Sequence, residues 1–430
     1  MKKIINPPIS DWGALCKRPN LPDTYLNYKV KNIITQVELS GDKALKEFAL
    51  AFDQVNLTNL QVSITEIEIA TTQVSTELKE AIKIAANNIR TFHEAQKTIE
   101  PEVETMPGIT CWRKSVAIEN VGLYIPGGSA PLFSTILMLA IPAQIAGCKR
   151  IALCTPSDKN GNIHPAILYT ASFLGINEIY KVGGAQAIAA LAYGTESIRK
   201  VDKIFGPGNQ YVSKAKELVQ KNGLAIDLPA GPSEVLVIAD KNADASFIAA
   251  DLLSQAEHGA DSQVIFLTDN AELVENVKMN LAKQLKELPR ADIAEKTLKN
   301  SFSAVFSSIN ECIDFSNYYA PEHLILAITE TEDYVDKIQN AGSVFLGNYS
   351  CESAGDYASG TNHTLPTNGY ARSYSGVSLD SFYKKITFQK ITQQGLKNIG
   401  KTIEVMAEAE QLMAHKNAVS IRLKKMNDEE

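Results

Sequence analysis

The sequence predicts an α/β protein: two doubly wound, Rossmann-like parallel-sheet domains forming an incomplete dinucleotide fold, with an N-terminal arm and a helical C-terminal tail. Three observations carry this. Between about residues 120 and 347, short apolar runs alternate with helical stretches of ten or more residues, the pattern of right-handed βαβ crossovers and hence of parallel sheets. The alternation comes as two successive series, the second opening at "EVLVIAD". Finally, 430 residues that are 45% hydrophobic and 21% charged supply enough apolar side chains for more than one core.

Taken in order, residues 1–22 hold Pro7, Pro8, Pro19 and Pro22 and read as an arm. "VKNIITQVELSGDKALKEFALAFD" has helical spacing broken at Gly41, and "LQVSITEIEI" reads as a strand. "STELKEAIKIAANNIRTFHEAQK" is an amphipathic helix capped by Ser75 with an acidic first turn. The first α/β series runs "VGLYIPGG", "RIALCTP", "EIYKVGG" and "VDKIFGPG", each followed by a helix. The second runs "EVLVIAD", a helix over 244–258, "SQVIFLT", "SAVFSS", "HLILAI", the helix "DYVDKIQ" and "SVFLG". A Gly-, Ser- and Thr-rich loop, "CESAGDYASGTNHTLPTNGYARSYSG", follows, and such length in a loop usually means function. Beyond residue 380 the chain reads as helical and too polar to build a third sheet. The expected domains are the arm 1–22, a discontinuous α/β domain 23–122 with 232–378, an inserted α/β domain 123–231, and a tail 379–430.

A formal net charge of −7 with interleaved signs argues against a nucleic-acid surface. No apolar run approaches the roughly 20 residues that span a bilayer, and the start lacks a signal-peptide core, so a cytoplasmic location without membrane contact is expected. The six cysteines are scattered with no CxxC pair, which indicates neither a thiolate zinc site nor a disulfide framework. Ligands for any metal must then come from Asp, Glu, Gln and six histidines: His93, His164, His258, His323, His363 and His415.

Three strand-to-helix turns are glycine-rich, "YIPGGSAP", "KVGGAQA" and "FGPGNQY", and none is GxGxxG. Glycine serves such turns structurally in any case. Three in one series, followed by Ser129, Gln186 and Asn209, fit a rim that holds phosphate or nucleotide; Tyr124 beside the first turn suits either stacking on a flat ring or the core. In "LLSQAEHGADSQ", Gln255 and His258 are three apart and share a helix face, while Glu257 points elsewhere. A lone helical histidine is more often structural than metal-bound, so partners decide. Glu322 and His323 precede an apolar strand, where packing explains neither and where they suit acid–base work. Asp356 and His363 are the chemistry-capable members of the long loop, and Glu410 and His415 stand in the tail. Gln255, His258, Asp356 and His415 together make an N/O donor set suited to zinc or a neighbouring divalent ion. By themselves these residues leave open a zinc hydrolase acting through Glu322 and a non-catalytic nucleotide-binding module.

The ordered segments "VGLYIPGG", "GGAQAIAALAYGT", "FGPGNQYVSKAK", "DLPAGPSE", "DLLSQAEHG", "YYAPEHL", "GDYASGTNH" with "LPT", and "EAEQLMAHKNAV" resemble the signatures of the histidinol dehydrogenase family over about residues 25–425. Thr361, where the family commonly has proline, is the one departure. The resemblance implies oxidation of L-histidinol to L-histidine through the aldehyde, with two NAD and one water, in histidine biosynthesis. It implies one zinc per subunit on Gln255, His258, Asp356 and His415, and catalysis by Glu322 and His323. Substrate contacts are expected at Ser233, Gln255, His258, His323, Asp356, Glu410 and His415, with His363 nearby, and NAD contacts at Tyr124, Gln186 and Asn209 in the inserted domain. A homodimer whose exchanged tail completes the partner's site is implied as well.

Overall fold

The structure, a computed structural model, describes residues 1–18, 23–127, 130–229 and 231–428. Pro19, Pro22 and Ser129 lie outside the described residues. The chain divides into two compact units, Met1–Gln96 with Ile118–Phe382, and Lys97–Ala117 with Tyr383–Glu430. In chain order the strands are β1 (Lys2–Ile5), β2 (Val103–Met106), β3 (Ile109–Ala117), β4 (Asn120–Tyr124), β5 (Arg150–Thr155), β6 (Ile179–Lys181) and β7 (Lys203–Phe205). They continue as β8 (Ala225–Ile226), β9 (Glu234–Ala239), β10 (Gln263–Thr268), β11 (Phe302–Val305), β12 (His323–Ala327), β13 (Ser343–Leu346) and β14 (Tyr383–Ile391).

The first unit holds two parallel sheets, as the alternation requires. One has the order β6-β5-β4-β7-β8 and the other β1-β11-β10-β9-β12-β13. Leaving β1 aside, both follow the 3-2-1-4-5 order of a Rossmann half, with the reversal between β4 and β7 and between β9 and β12. Successive strand residues go to opposite faces. Val121, Leu123, Leu153, Ile179 and Phe205 enter one core of the five-stranded sheet, while Tyr124, Ala152, Cys154, Tyr180 and Ile204 enter the other. The six-stranded sheet is likewise covered twice, by Val235, Val237, Val264, Phe266 and Ile325 on one face and Leu236, Ile238, Ile265, Leu267 and Leu324 on the other. Strands buried on both faces explain the near-continuous apolar runs in the sequence.

Several expectations change. The arm contributes β1, paired in parallel with β11. The helices within residues 23–94 pack on the five-stranded sheet, with Val30, Val37 and Leu45 in one of its cores and Ile82 and Ile89 in the other, whereas the sequence groups residues 23–122 with 232–378. "LQVSITEIEI" is largely helix, Ile64–Gln73. Ser63 and Glu66 form a capping box there, and this local signal overrides β-branched composition. The helix expected in "DYVDKIQ" shortens to Glu332–Val335, and the long loop contains a helix, Glu352–Tyr357. Gly41, at φ +52°, kinks the helical stretch Asp23–Phe48 where the sequence shows the break.

The second unit does contain a sheet, antiparallel, in the order β14-β3-β2. Trp112 and Phe388 stack across it at 5.4 Å between centroids. Two helices follow, Gln393–Ala409 and Met413–Asp428. No helix among the described residues is long and apolar enough to cross a membrane.

Candidate active site

A cleft of about 300 Å³ lies within the first unit. Its walls come from Pro126, Gly206 and Asn209 on one side and Gln255, His258, Glu322 and His323 on the other. Pro126, Gly206 and Asn209 follow β4 and β7, at the carboxyl edge of the five-stranded sheet. Glu322 and His323 instead stand at the amino edge of the six-stranded sheet, because His323 is the first residue of β12. The ligand rule for open α/β sheets looks at carboxyl edges, so it finds one wall and misses the other.

The first wall is set by backbone geometry. Gly206 has φ +128°, and a Cβ there would lie 2.0 Å from the Tyr124 carbonyl oxygen, so only glycine lets the chain turn so close to β4. The Gly206 amide donates to Asp227 Oδ2 at 2.8 Å and its carbonyl accepts from Lys216 Nζ at 2.9 Å, with Lys216 and Asp227 ion-paired below. Asn209 caps the helix Gln210–Lys221, its side-chain oxygen accepting from the Tyr211 and Val212 amides at 3.0 and 3.1 Å. Of the three expected NAD contacts, Asn209 alone lines the cleft. Tyr124 is buried, its hydroxyl accepting from the Gly184 amide at 3.0 Å, and Gln186 is buried in the first turn of Gly184–Tyr193.

The second wall gathers the acid–base residues. Helix Ala245–Ala256 runs back beside β9 and delivers Gln255, fully buried, and His258, exposed at the rim. The Gln255 amide group lies 2.5 Å from Glu352 Oε1 on one side and 3.0 Å from the Glu234 amide on the other. The Glu234 amide donates to Glu322 Oε2 at 2.8 Å, and the Glu234 carbonyl faces His323 Nδ1 at 3.2 Å. One peptide segment therefore orients both members of the pair. The carbonyl fixes the proton of His323 on Nδ1 and turns Nε2 toward Asp356 Oδ1, 3.5 Å away. Glu234 itself is clamped: Arg18 donates to its carboxylate at 2.9 and 3.1 Å, and the Asn368 amide does so at 2.8 Å.

The electrostatics follow from crowding of carboxylates out of water. Burial pushes Glu322 up to about 8. For His323, burial opposes the charged form, but Glu352, Glu322 and Asp356 more than reverse this and raise it to about 10. Burial pushes Glu352 well above the usual carboxylate range. Asp356 is pushed up by burial but held lower overall by His323, with His363 and His258 adding to the effect. His363 is committed on both nitrogens: Nδ1 faces the Asp356 carbonyl at 2.8 Å and Nε2 the Thr135 hydroxyl at 3.1 Å. It fixes the backbone that carries Asp356.

Among the described residues, His258, Glu352 and Asp356 form a group that offers one ligand atom each, all within 4.8 Å of one another. Buried Glu352 Oε2 has no hydrogen-bond partner there, and buried His323 Nε2 and Asp356 Oδ1 have only their long 3.5 Å contact with each other. Unpaired buried polar atoms around an imidazole and carboxylates fit a divalent cation. Ser233 also lines the cleft. Glu410 and His415 belong to the second unit, either side of the turn between its two helices. Sequence reasoning missed Glu352 and Glu234. Glu352 and Asp356 are four apart, a one-face spacing that becomes visible once the segment is recognised as helix.

Two parallel sheets of dinucleotide-binding order opening onto a buried acid–base pair define a dehydrogenase of the α/β class. The family model for histidinol dehydrogenase matches residues 16–423. The chain is 58% identical over 429 residues to "Histidinol dehydrogenase" of Bacteroides fragilis (strain YCH46), covering 99% of this chain and 100% of the relative. It is 53% identical over 417 residues to that of Pasteurella multocida (strain Pm70), covering 97% and 96%. A solved structure of histidinol dehydrogenase from Elizabethkingia anophelis is 61% identical, with a TM-score of 0.97 over 99% of both chains. The chain belongs to the histidinol dehydrogenase family, and it is an NAD-dependent oxidoreductase.

Proposed function

We propose that the chain oxidises L-histidinol to L-histidine through the bound aldehyde, in two hydride transfers to two NAD with one water consumed, in the cytoplasm as part of histidine biosynthesis. The observation that carries this reading is that Glu322, His323, His258 and Asp356 line one cleft with the glycine turn of the other sheet.

In the first half, His323 Nε2 accepts the alcohol proton as the carbon-bound hydride leaves for NAD. In the second, Glu322 takes a proton from water as the water oxygen bonds to the aldehyde carbon and the carbonyl π bond opens to an alkoxide; this hydrate anion gives its hydride to the second NAD and becomes the carboxylic acid, which releases its proton to solvent as the carboxylate forms. Gln255, His258 and Asp356, with His415, would hold zinc. Bound there, zinc supplies Lewis acidity toward the substrate's imidazole and amine, and positive charge that offsets the carboxylates now keeping His323 protonated. Ser233 at the cleft wall and acidic Glu410 suit the polar ends of the substrate, and Tyr124, Gln186 and Asn209 shape the turns that would receive NAD. Burial of Glu322 and His323 keeps bulk water from the aldehyde. A homodimer with exchanged tails supplies Glu410 and His415 to the partner's cleft.

Supplying L-histidinol and NAD to the zinc-loaded protein should yield two NADH per histidinol consumed. No NADH under these conditions overturns the reading.

A further inference from the structure

Arg18, in the N-terminal arm, does not line the cleft, yet its side chain is only 10% exposed. The helix Ile9–Leu15 before it is seated by Trp12, which packs edge-on against Phe306 and Phe315 in a core of the six-stranded sheet. From that anchor the guanidinium reaches two segments that both lead to the acid–base pair. On one side Nε and Nη2 fork onto the two carboxylate oxygens of buried Glu234, whose peptide groups hold Glu322 Oε2 and face His323 Nδ1. On the other, Nη2 donates to the Tyr319 carbonyl at 2.8 Å, and the guanidinium lies over the Tyr319 ring, 3.7 Å from its centroid. Tyr319 ends the helix Ile309–Tyr319, and Ala320, at φ +56° and ψ +68°, turns the chain into Pro321, Glu322 and His323. A left-handed alanine persists only where its surroundings over-determine it. The contacts of Arg18 with Tyr319, and the Tyr319 hydroxyl's bond to Gln263 Oε1 at 2.8 Å, hold that turn.

We propose that Arg18 is a positioning residue for the reaction: it ties the start of β9, which holds the acid–base pair, to the turn that carries the pair, and so fixes Glu322 and His323 at their working distance from the substrate. The inference rests on the roles given to those two residues above. A planar guanidinium has five donors on a rigid frame, so it can bridge a carboxylate and a carbonyl at once, in a geometry that an ammonium does not reproduce. Displacing reacting groups by about 1 Å costs on the order of 100-fold in rate. Both oxidation halves depend on the clamp, because one peptide segment holds the base of each.

The test compares the zinc-loaded full chain as wild type, Arg18→Met, Arg18→Lys, Glu234→Gln and the double variant Arg18→Met with Glu234→Gln. Arg150→Met is the control, since it severs a similar fork onto Glu178 at the start of β5, the amino edge of the other sheet. Circular dichroism and denaturant melts give the folded fraction, and rates are taken per folded, zinc-occupied chain. In single turnovers at saturating substrate and NAD, Arg18→Met should slow both alcohol oxidation and oxidation of supplied histidinal about 10- to 100-fold, with steady-state KM values within about threefold of wild type. Arg18→Lys should recover part of the rate, and stands in if the Met variant fails to fold. The double variant should be no slower than the slower single one, because both changes cut the same clamp. Arg150→Met should lose stability and keep its rates. Wild-type rates in Arg18→Met, or in Arg18→Lys where it stands in, overturn the assignment, as does a rise in KM with unchanged rates. So does equal slowing in Arg150→Met, which would mean that the loss follows stability alone. A wild type that makes no NADH sinks the functional reading itself, whereas an active wild type with unaffected Arg18 variants sinks the clamp alone.

Discussion

Glu322 holds the backbone amide of Glu234 while facing the imidazole of its own neighbour. Glu322→Gln keeps the shape and removes the base. In single-turnover experiments it should slow oxidation of supplied histidinal by about 10²- to 10⁴-fold and alcohol oxidation much less. Equal losses in both halves contradict the role given to it. Gly206→Ala addresses the other wall, where the added methyl has no room against the Tyr124 carbonyl. A loss of order 3 kcal/mol in denaturant unfolding, from strain and overpacking, is expected, together with weaker NAD binding by fluorescence titration. The candidate residues were legible in the sequence because titratable groups beside an apolar strand have no packing explanation. Glu352 and Glu234 were not, since a single glutamate at the start of an element looks like any solvated end until burial is known.

At the scale of elements, the order of the five-stranded sheet depends on what joins its neighbouring strands. Arg150 at the start of β5 forks onto Glu178, just before β6, at 2.5 to 3.1 Å, and the Tyr180 hydroxyl adds a bond at 2.8 Å. Burial pushes Glu178 up, but the Arg150 fork and Tyr180 hold it below the ordinary value of 4.5. With a depressed folded-state pKa, its stabilisation is complete above about 4.5 and is lost as pH falls through the lower folded value. Glu178→Gln should therefore cost about 1–3 kcal/mol near pH 7, and the difference from wild type should shrink below pH 4.5 in denaturant melts. Strands buried on both faces were legible as apolar runs. The segment around Ser63 was misread because alternating β-branched residues imitate a strand, although the Ser63–Glu66 spacing of a capping box was present. The antiparallel sheet of the second unit was hidden because its strands lie far apart in sequence, at 103–117 and 383–391, and polar edge strands lack a periodic signal.

At the scale of the whole molecule, Glu410 and His415 lie in a unit of their own, and the proposed exchange of tails makes a sharp expectation. His415→Asn and Asp356→Asn subunits, each inactive, should regain activity when mixed under conditions of subunit exchange, because a hybrid dimer then holds one cleft with both native groups. Activity assays on mixtures whose exchange is verified by native mass spectrometry decide this; no recovery would mean each chain completes its own site. The two-sheet architecture was legible, but the partition of the first helices between sheets was not, since periodicity tells which face is apolar and not which sheet it covers. The cleft also joins the carboxyl edge of one sheet to the amino edge of the other, and helices inherit that polarity. Gln210–Lys221 points its positive amino end at the cleft near Asn209, and Ala245–Ala256 ends there with its negative carboxyl end beside Gln255 and His258. The walls are thus oppositely polarised: one favours an anion such as a cofactor phosphate, the other a cation. Two ligands of opposite charge can sit side by side without competing for the same surface.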